Sequence, residues 1–203
     1  SWNTAADGTG TQYADQAQFQ FLSNTRLYAQ WGKVVTYRIT GADSGLPSRS
    51  SDNWTSGVIS LPTQGTMVKA GYSFGGWRDG ATTYTTTFTP TTVFALDPVW
   101  LANTYVISFS KTGSATGSVP ANQSWTTGNS PLVMPGNSGS PALSLTGYTF
   151  GGWATASAPT TPVTTYSTFS DQVFIPIWNP IAYTVSYNLN GGEGSTPTQA
   201  PLN

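Results

Sequence analysis

One seven-residue motif occurs twice in this chain and limits it to folds that are built from a repeated module. Gly71–Trp77 reads GYSFGGW and Gly147–Trp153 reads GYTFGGW. Each copy is followed by an apolar segment that closes on tryptophan, at Trp100 and at Trp178, and a third such segment closes at Trp31. The spacing of these closing tryptophans is roughly 70 to 80 residues, the size of a small domain rather than of a solenoid turn.

A second landmark marks the start of each module. Alternating runs of β-branched and aromatic residues lie at 35–39, 105–109 and 183–187, and such period-two alternation is the β-strand signal. The two landmarks divide the chain into four segments: 1–31, the C-terminal half of a repeat; 32–100 and 101–178, complete repeats; and 179–203, the N-terminal half of a repeat.

The local sequence favours strands over helices. The 22 glycines and 14 prolines interrupt almost every helical window, and the best candidate for a short helix is 15–19. We therefore predict a mainly β fold, α+β at most. The glycine pair before Trp77 and before Trp153 predicts either a β-bulge or a close approach of the backbone in each strand. The repeated tryptophans themselves are predicted to be buried at equivalent places.

The composition excludes highly charged partners. Eight acidic and seven basic residues leave a net charge of −1, and charged residues make up 7% of the chain, against about 25% in ordinary soluble domains. We therefore expect no nucleic acid binding, because no basic patch is present to neutralise phosphates, and no membrane insertion within this segment. The basic residues are scattered along the sequence: Arg26, Lys33, Arg38, Arg49, Lys69, Arg78 and Lys111.

Catalytic and cofactor chemistry has no support in the sequence. The chain contains no histidine and no cysteine, so the common catalytic triads and transition-metal sites are not available. Its carboxylates do not recur at equivalent positions of the repeats, as a repeated acid–base pair would. We predict that the chain is not an enzyme, binds no cofactor and no metal, and has a stability that depends little on pH between about 5 and 9.

Trp54 and Trp125 are candidate ligand-binding residues. Each is followed by threonine and, three residues on, by glycine. Exposed indole rings beside hydroxyl and amide groups suit stacking on sugars, which gives a carbohydrate-binding hypothesis. The alternative, which the sequence favours, is that both rings are part of the core or of the packing between modules.

Taken together, these residues resemble the Listeria–Bacteroides repeat, the B-repeat family of internalin-type bacterial surface proteins. The resemblance rests on both GYxFGGW motifs, on the LYAQW segment at 27–31, and on the opening segment 183–192. It implies small β-grasp-like modules in a rod, in a secreted or cell-surface bacterial protein where they act as stalk or adhesive modules. It brings no catalytic residues. This chain differs from many members in being almost uncharged.

The two half-repeats are complementary, which raises a hypothesis about assembly. A lone half-repeat would leave apolar residues and strand edges without a partner, so we expect protein partners, either neighbouring repeats or identical subunits. Strand addition between 179–203 of one subunit and 1–31 of the next would give a head-to-tail extracellular filament. The alternative is that the chain is an excerpt of a longer repeat protein. The candidate interface residues are Phe19, Phe21, Leu27, Trp31, Tyr183, Val185 and Tyr187.

Overall fold

The described residues of a computed structural model, 1–18 and 23–198, form β-strands and no helix. The prediction of a mainly β protein is therefore confirmed. The short helix predicted at 15–19 is wrong where the structure describes it, because Asp15 and Gln16 form a turn in which Gln16 has a positive φ of 61°. The β-grasp-like module and the rod stay predictions. The chain divides into two compact units, Ser1–Ala102 and Asn103–Asn203.

The first unit contains a five-stranded sheet, a three-stranded sheet and a two-stranded ribbon. The five-stranded sheet has the order β5-β4-β10-β7-β8, in which β4 and β10 are parallel and all other neighbours are antiparallel. The smaller sheet has the order β2-β1-β3, and β6 pairs with β9. The strands are β1 (Trp2–Asn3), β2 (Gln12–Tyr13), β3 (Tyr28–Ala29), β4 (Lys33–Tyr37), β5 (Ser51–Trp54), β6 (Ile59–Ser60), β7 (Tyr72–Asp79), β8 (Thr82–Tyr84), β9 (Thr87–Phe88) and β10 (Ala95–Ala102).

The second unit repeats the large sheet and the ribbon strand for strand. Its five-stranded sheet has the order β12-β11-β17-β14-β15, again with one parallel pair, β11 and β17, at the centre. The ribbon is formed by β13 and β16. The strands are β11 (Thr104–Phe109), β12 (Gln123–Thr126), β13 (Leu132–Val133), β14 (Tyr148–Thr155), β15 (Ala158–Val163), β16 (Thr165–Tyr166) and β17 (Gln172–Pro180).

The opening strands follow the alternation seen in the sequence. In β4, Val35 and Tyr37 are buried and the residues between and before them are exposed. In β11, Ile107 and Phe109 are buried, and Ser108 between them is half-buried. The third alternating run, at 183–187, forms no strand in the described residues. Tyr183 forms an isolated β-bridge, whereas β4 and β11 each take part in a longer ladder in the described residues.

Trp77 and Trp153 lie at the centres of the two cores, with 0% and 1% of their surface exposed. Each indole Nε1 donates a hydrogen bond to a proline carbonyl, Trp77 to Pro62 and Trp153 to Pro135, both at 2.8 Å. Burying a tryptophan requires a partner for its N–H, and both units supply it in the same way. The prediction that these residues are buried at equivalent places is confirmed.

A line of aromatic rings extends from each central tryptophan, and the line is the same in both units. Tilted and edge-to-face ring contacts of this kind contribute about 0.5–1.5 kcal/mol each beyond the burial of their area. In the first unit the ring centroids are 5.0 Å apart for Tyr37–Trp77, 5.5 Å for Phe74–Trp77 and 6.0 Å for Phe74–Trp100. In the second they are 4.7 Å for Phe109–Trp153, 5.2 Å for Phe150–Trp153 and 6.1 Å for Phe150–Trp178.

The glycine pair forms the predicted bulge. Val99 faces Gly76 across the sheet and Trp100 faces Phe74, so Gly75 is an extra residue in β7. β14 has the same irregularity against β17. The second glycine of each pair has a positive φ, 116° and 121°, which favours glycine because a side chain is strained there.

Gly76 and Gly152 therefore give a matched test. A Cβ on Gly76 would lie 2.5 Å from the carbonyl oxygen of Tyr84, whereas a Cβ on Gly152 would lie 3.6 Å from the nearest atom, Pro162 Cβ. Both Gly→Ala changes should cost about 1–3 kcal/mol of backbone strain, and Gly76→Ala should cost more because of the clash. Hydrogen exchange of the backbone amides in each unit measures the loss. Equal losses would show that the sheet relaxes around Tyr84.

Candidate functional site

Trp125 is a core residue and offers no face to a sugar. Only 5% of its surface is exposed. The rings of Tyr105 and Phe169 stack on it at 6.2 and 6.0 Å, and its Nε1 donates to the carbonyl of Ser130 at 3.0 Å. The carbohydrate-stacking hypothesis therefore does not hold for this residue, because the aromatic side chains around it already cover the indole.

Trp54 occupies the matching place in the first unit but is only half-buried. Its ring lies 5.8 Å from that of Phe94, and its Nε1 donates to the carbonyl of Gly57 at 2.8 Å. Lys33, its cross-strand neighbour, places its ammonium 4.4 Å from the Phe94 ring centroid. Stacking of a glycan on Trp54 stays a prediction.

The candidate assembly residues near the start of the chain expose what a complete repeat buries. Trp31 is 86% exposed. Leu27, four residues before it, is half-buried, whereas Leu96, four residues before Trp100, is completely buried. Trp2, at the position of Trp77 in the repeat, is 41% exposed and lines a cavity of about 270 Å³ together with Leu27. In the complete first repeat, Tyr37 of β4 packs on Trp77 and pairs with Leu96, and Trp100 donates to the carbonyl of Thr40.

The candidate assembly residues near the end of the chain are also exposed. Tyr183, Val185 and Tyr187 have about half of their surfaces accessible. Phe19 and Phe21 lie outside the described residues.

A polar cluster that the sequence did not reveal lies at the edge of the first core. Arg49 Nε donates to both oxygens of Asp52, at 2.7 and 2.9 Å, and the Tyr37 hydroxyl donates to Asp52 at 2.5 Å. Burial, together with the Asp52 carboxylate, raises the pKa of Tyr37 well above its usual range. The second repeat has Phe109 in place of Tyr37 and Gln123 two residues before its strand tryptophan, so it lacks this cluster.

A second missed feature is a basic cavity of about 250 Å³ in the first unit. Lys69, Arg78, Gly41 and Trp100 are among its lining residues. Lys69 and Arg78 are nine positions apart in the sequence, and nothing in that spacing indicates a shared site. The fold places both in one cavity lining, beside Gly41 and next to the β10 strand that pairs with β7.

Within the described ranges, no group of three or more His, Cys, Asp or Glu side chains is placed to hold a metal ion. The same part of the chain has no helix that is long and apolar enough to cross a membrane.

The structure defines the chain as a tandem repeat protein, since one sheet topology with one core is built twice. The family model of the Listeria-Bacteroides repeat domain matches residues 1–30, 35–97 and 105–174. The chain belongs to this family, and the resemblance inferred from the sequence is confirmed.

One curated relative gives a wider context. A protein of Evansella cellulosilytica described as "Putative Gly-rich membrane protein" is 28% identical over 220 residues. The alignment covers 98% of this chain and 24% of that protein, so the chain spans about a quarter of the relative it matches. No solved structure matches the chain.

Tyr37 should make the first unit sensitive to alkali. Its pKa is raised in the folded state, so protonated Tyr37 contributes stability that is complete below its unfolded value of about 10 and is lost as the pH rises above it. Tyr37→Phe should therefore reduce the fall in the urea midpoint between about pH 9 and pH 11. Tyr148→Phe, at an exposed tyrosine, is the control. A fall that is equally steep in both variants would contradict the prediction.

Proposed function

We propose that this chain is a segment of an extracellular bacterial stalk, adhesin or filament, in which the repeats act as structural and interaction modules and catalyse no reaction. The observation that carries this proposal is that the repeated features are those of the core. Trp77 and Trp153 share their burial, their hydrogen bond to a proline carbonyl and their aromatic neighbours. A catalytic array would instead be expected to repeat its polar groups.

The polar positions differ between the repeats. The Tyr37–Asp52–Arg49 cluster corresponds to Phe109, Gln123 and Pro120 in the second repeat. Because core residues repeat and polar residues vary, we take the shared property to be mechanical and the variable property to be recognition.

The sheet topology suits a module under tension. In each large sheet the first strand and the last strand are parallel neighbours, β4 with β10 and β11 with β17. A pull on the N-terminal end of β4 and the C-terminal end of β10 therefore acts along the strands. All the hydrogen bonds between them then resist together, whereas a pull at one end would open them one at a time.

Specific contacts reinforce this parallel pair in the first unit. The amides of Thr36 and Arg38 donate to the carbonyls of Phe94 and Leu96, both at 2.9 Å. Beyond them, Arg38 lies 3.3 Å from Asp97. In the second unit, the amide of Ser110 donates to the carbonyl of Phe174 at 2.9 Å.

The cell-surface location is supported by the family and by the relative. Proteins that this repeat resembles are surface-attached, and the Evansella relative carries a membrane-protein description. The low charge and the absence of cysteine agree with such a place. The stalk, adhesin or filament role of the whole protein that contains these repeats is likewise a proposal.

The direction of pull should decide the unfolding force. The chain has no cysteine, so Lys33→Cys with Ala102→Cys gives handles at opposite ends of the β4–β10 pair, and Lys33→Cys with Thr92→Cys gives handles at the same end. All three residues are exposed. In single-molecule force spectroscopy, the first pair of handles should give an unfolding force several-fold higher than the second. Similar forces would reject the mechanical role.

We further propose that the exposed face of 1–31 accepts an opening strand of the kind found at 183–187. The strand order β2-β1-β3 matches β8-β7-β10. In the residues that the structure describes, β10 has the parallel neighbour β4 on the side where β3 has no neighbouring strand. The residues that this neighbour would cover include Trp31, which is 86% exposed. The donor strand would come either from a second copy or from an adjoining repeat of the same chain.

Light scattering of chain 1–203 tests assembly between copies. The mean mass should rise with concentration, and Trp31→Ser with Val185→Ser should abolish the rise. The control is Leu46→Ser with Val133→Ser, which removes two other exposed apolar side chains and should assemble as the unmodified chain does. A monomer at every concentration would reject assembly between copies and would leave covalent neighbours as the source of the strand.

A further inference from the structure

The basic cavity of the first unit has the chemistry of a ligand site. It is a cavity of about 250 Å³ beside residues 98–100 of β10, with Lys69, Arg78 and Trp100 in its lining. This volume is room for one sugar ring. The cavity gathers two of the seven basic residues of a chain in which only 7% of residues are charged.

The two cations are available to a ligand. In the described part of the chain, the ion pairs are Arg38–Asp97 and Arg49–Asp52, and neither includes Lys69 or Arg78. Asp97 is the carboxylate opposite Arg78 across the strands. Its two oxygens are already engaged, one by Arg38 at 3.3 Å and one by the hydroxyl of Thr40 at 2.8 Å. Arg38 offsets the charge of Asp97, and the described lining of the cavity contains the two cations and no carboxylate.

The indole of Trp100 is held in place beside these cations. Its ring packs on Phe74 with centroids 6.0 Å apart, and its Nε1 donates to the carbonyl of Thr40 at 3.3 Å. Lys69 is also positioned, with its ammonium 4.3 Å from the ring centroid of Tyr72, within the range of a cation–π contact.

Gly41 leaves the space between the lysine and the tryptophan open. An added Cβ there would lie 3.7 Å from Lys69 Nζ and 3.7 Å from Trp100 Cδ1. The ammonium and the indole therefore flank the same point. Gly41 has a positive φ of 73°, a conformation that favours glycine, so the turn itself keeps a side chain out of the cavity.

We propose that this cavity binds an acidic sugar, with the carboxylate of a hexuronate held by Lys69 and Arg78 and the sugar ring resting against the Trp100 indole. A guanidinium and an ammonium together are suited to a carboxylate, and the indole supplies an apolar surface with a fixed orientation. The proposed sugar site contains Trp100 and not Trp125, the tryptophan suggested by the sequence. This proposal rests on the proposed cell-surface location and adds the class of ligand.

The second repeat provides an internal comparison. It keeps the tryptophan, as Trp178, but has Leu145 and Ala154 at the positions of Lys69 and Arg78. The aromatic ring therefore belongs to the shared scaffold, and the two cations distinguish the first repeat. We expect acidic-sugar binding in the first unit alone.

Titration of the whole chain with tri-galacturonate, followed by two-dimensional NMR, tests the site. The Trp100 indole N–H resonance, identified by its loss in Trp100→Phe, and the Gly41 amide should shift. The fully methyl-esterified trisaccharide, which has the same size and no charge, should cause no such shift. Lys69→Gln with Arg78→Gln should weaken the binding at least tenfold.

Arg26→Gln with Lys111→Gln removes the same charge elsewhere and is the matched control, which should bind as the unmodified chain does. Three outcomes would overturn the proposal: no shift with tri-galacturonate, an equal loss in the control variant, or an equal shift with acetate, since acetate has no ring for Trp100. None of these would affect the force measurement, so failure of this site and failure of the mechanical role can be told apart.

Discussion

The hydrogen bond from a buried tryptophan to a proline carbonyl is the constraint on which each unit depends. An indole at the centre of a core must satisfy its N–H there, and Pro62 and Pro135 do so from the loops that follow β6 and β13. The bond fixes each loop above the sheet. The glycine bulge before each tryptophan adds one residue to the strand and changes its local direction, so the GYxFGGW motif specifies a strand, a bend and a core residue together.

This constraint leaves the outer positions free to vary. Tyr37 and Phe109 occupy one site in the two cores, yet only the tyrosine reaches a carboxylate at the surface, through Asp52. Likewise, Trp100 and Trp178 both end their repeats, but only Trp100 shares a cavity lining with two cations, Lys69 and Arg78. The topology is kept because Tyr37 and Phe109 make the same ring contact with their central tryptophans, whether or not a hydroxyl is present. Lys69 and Arg78 take no part in the ring contacts that the two cores share.

The sequence predicted those features that local pattern determines. Alternation at 35–39 and 105–109 predicted two strands, and the motif predicted the bulges and the buried tryptophans. It could not predict features that depend on pairing between distant strands. The packing of Trp125 against Tyr105 and Phe169, and the position of Lys69 near Trp100, join segments that lie tens of residues apart. The run at 183–187 shows the opposite limit, since its pattern is that of a strand but the described residues form no strand there beyond a β-bridge at Tyr183.

Because the chain has few charges, each charged cluster has a larger effect on the local electrostatic potential. With 15 charged residues in 203, few neighbouring charges are present to offset a local field, and charges more than about 8–10 Å apart are largely screened by physiological salt. Lys69 and Arg78 are the charged residues in the described lining of their cavity, and Asp97, which lies opposite Arg78, is paired with Arg38. A surface of hydroxyl and amide groups with isolated charge clusters provides solubility without general electrostatic attraction, and it leaves recognition to the few places where the fold brings charge and an aromatic ring together.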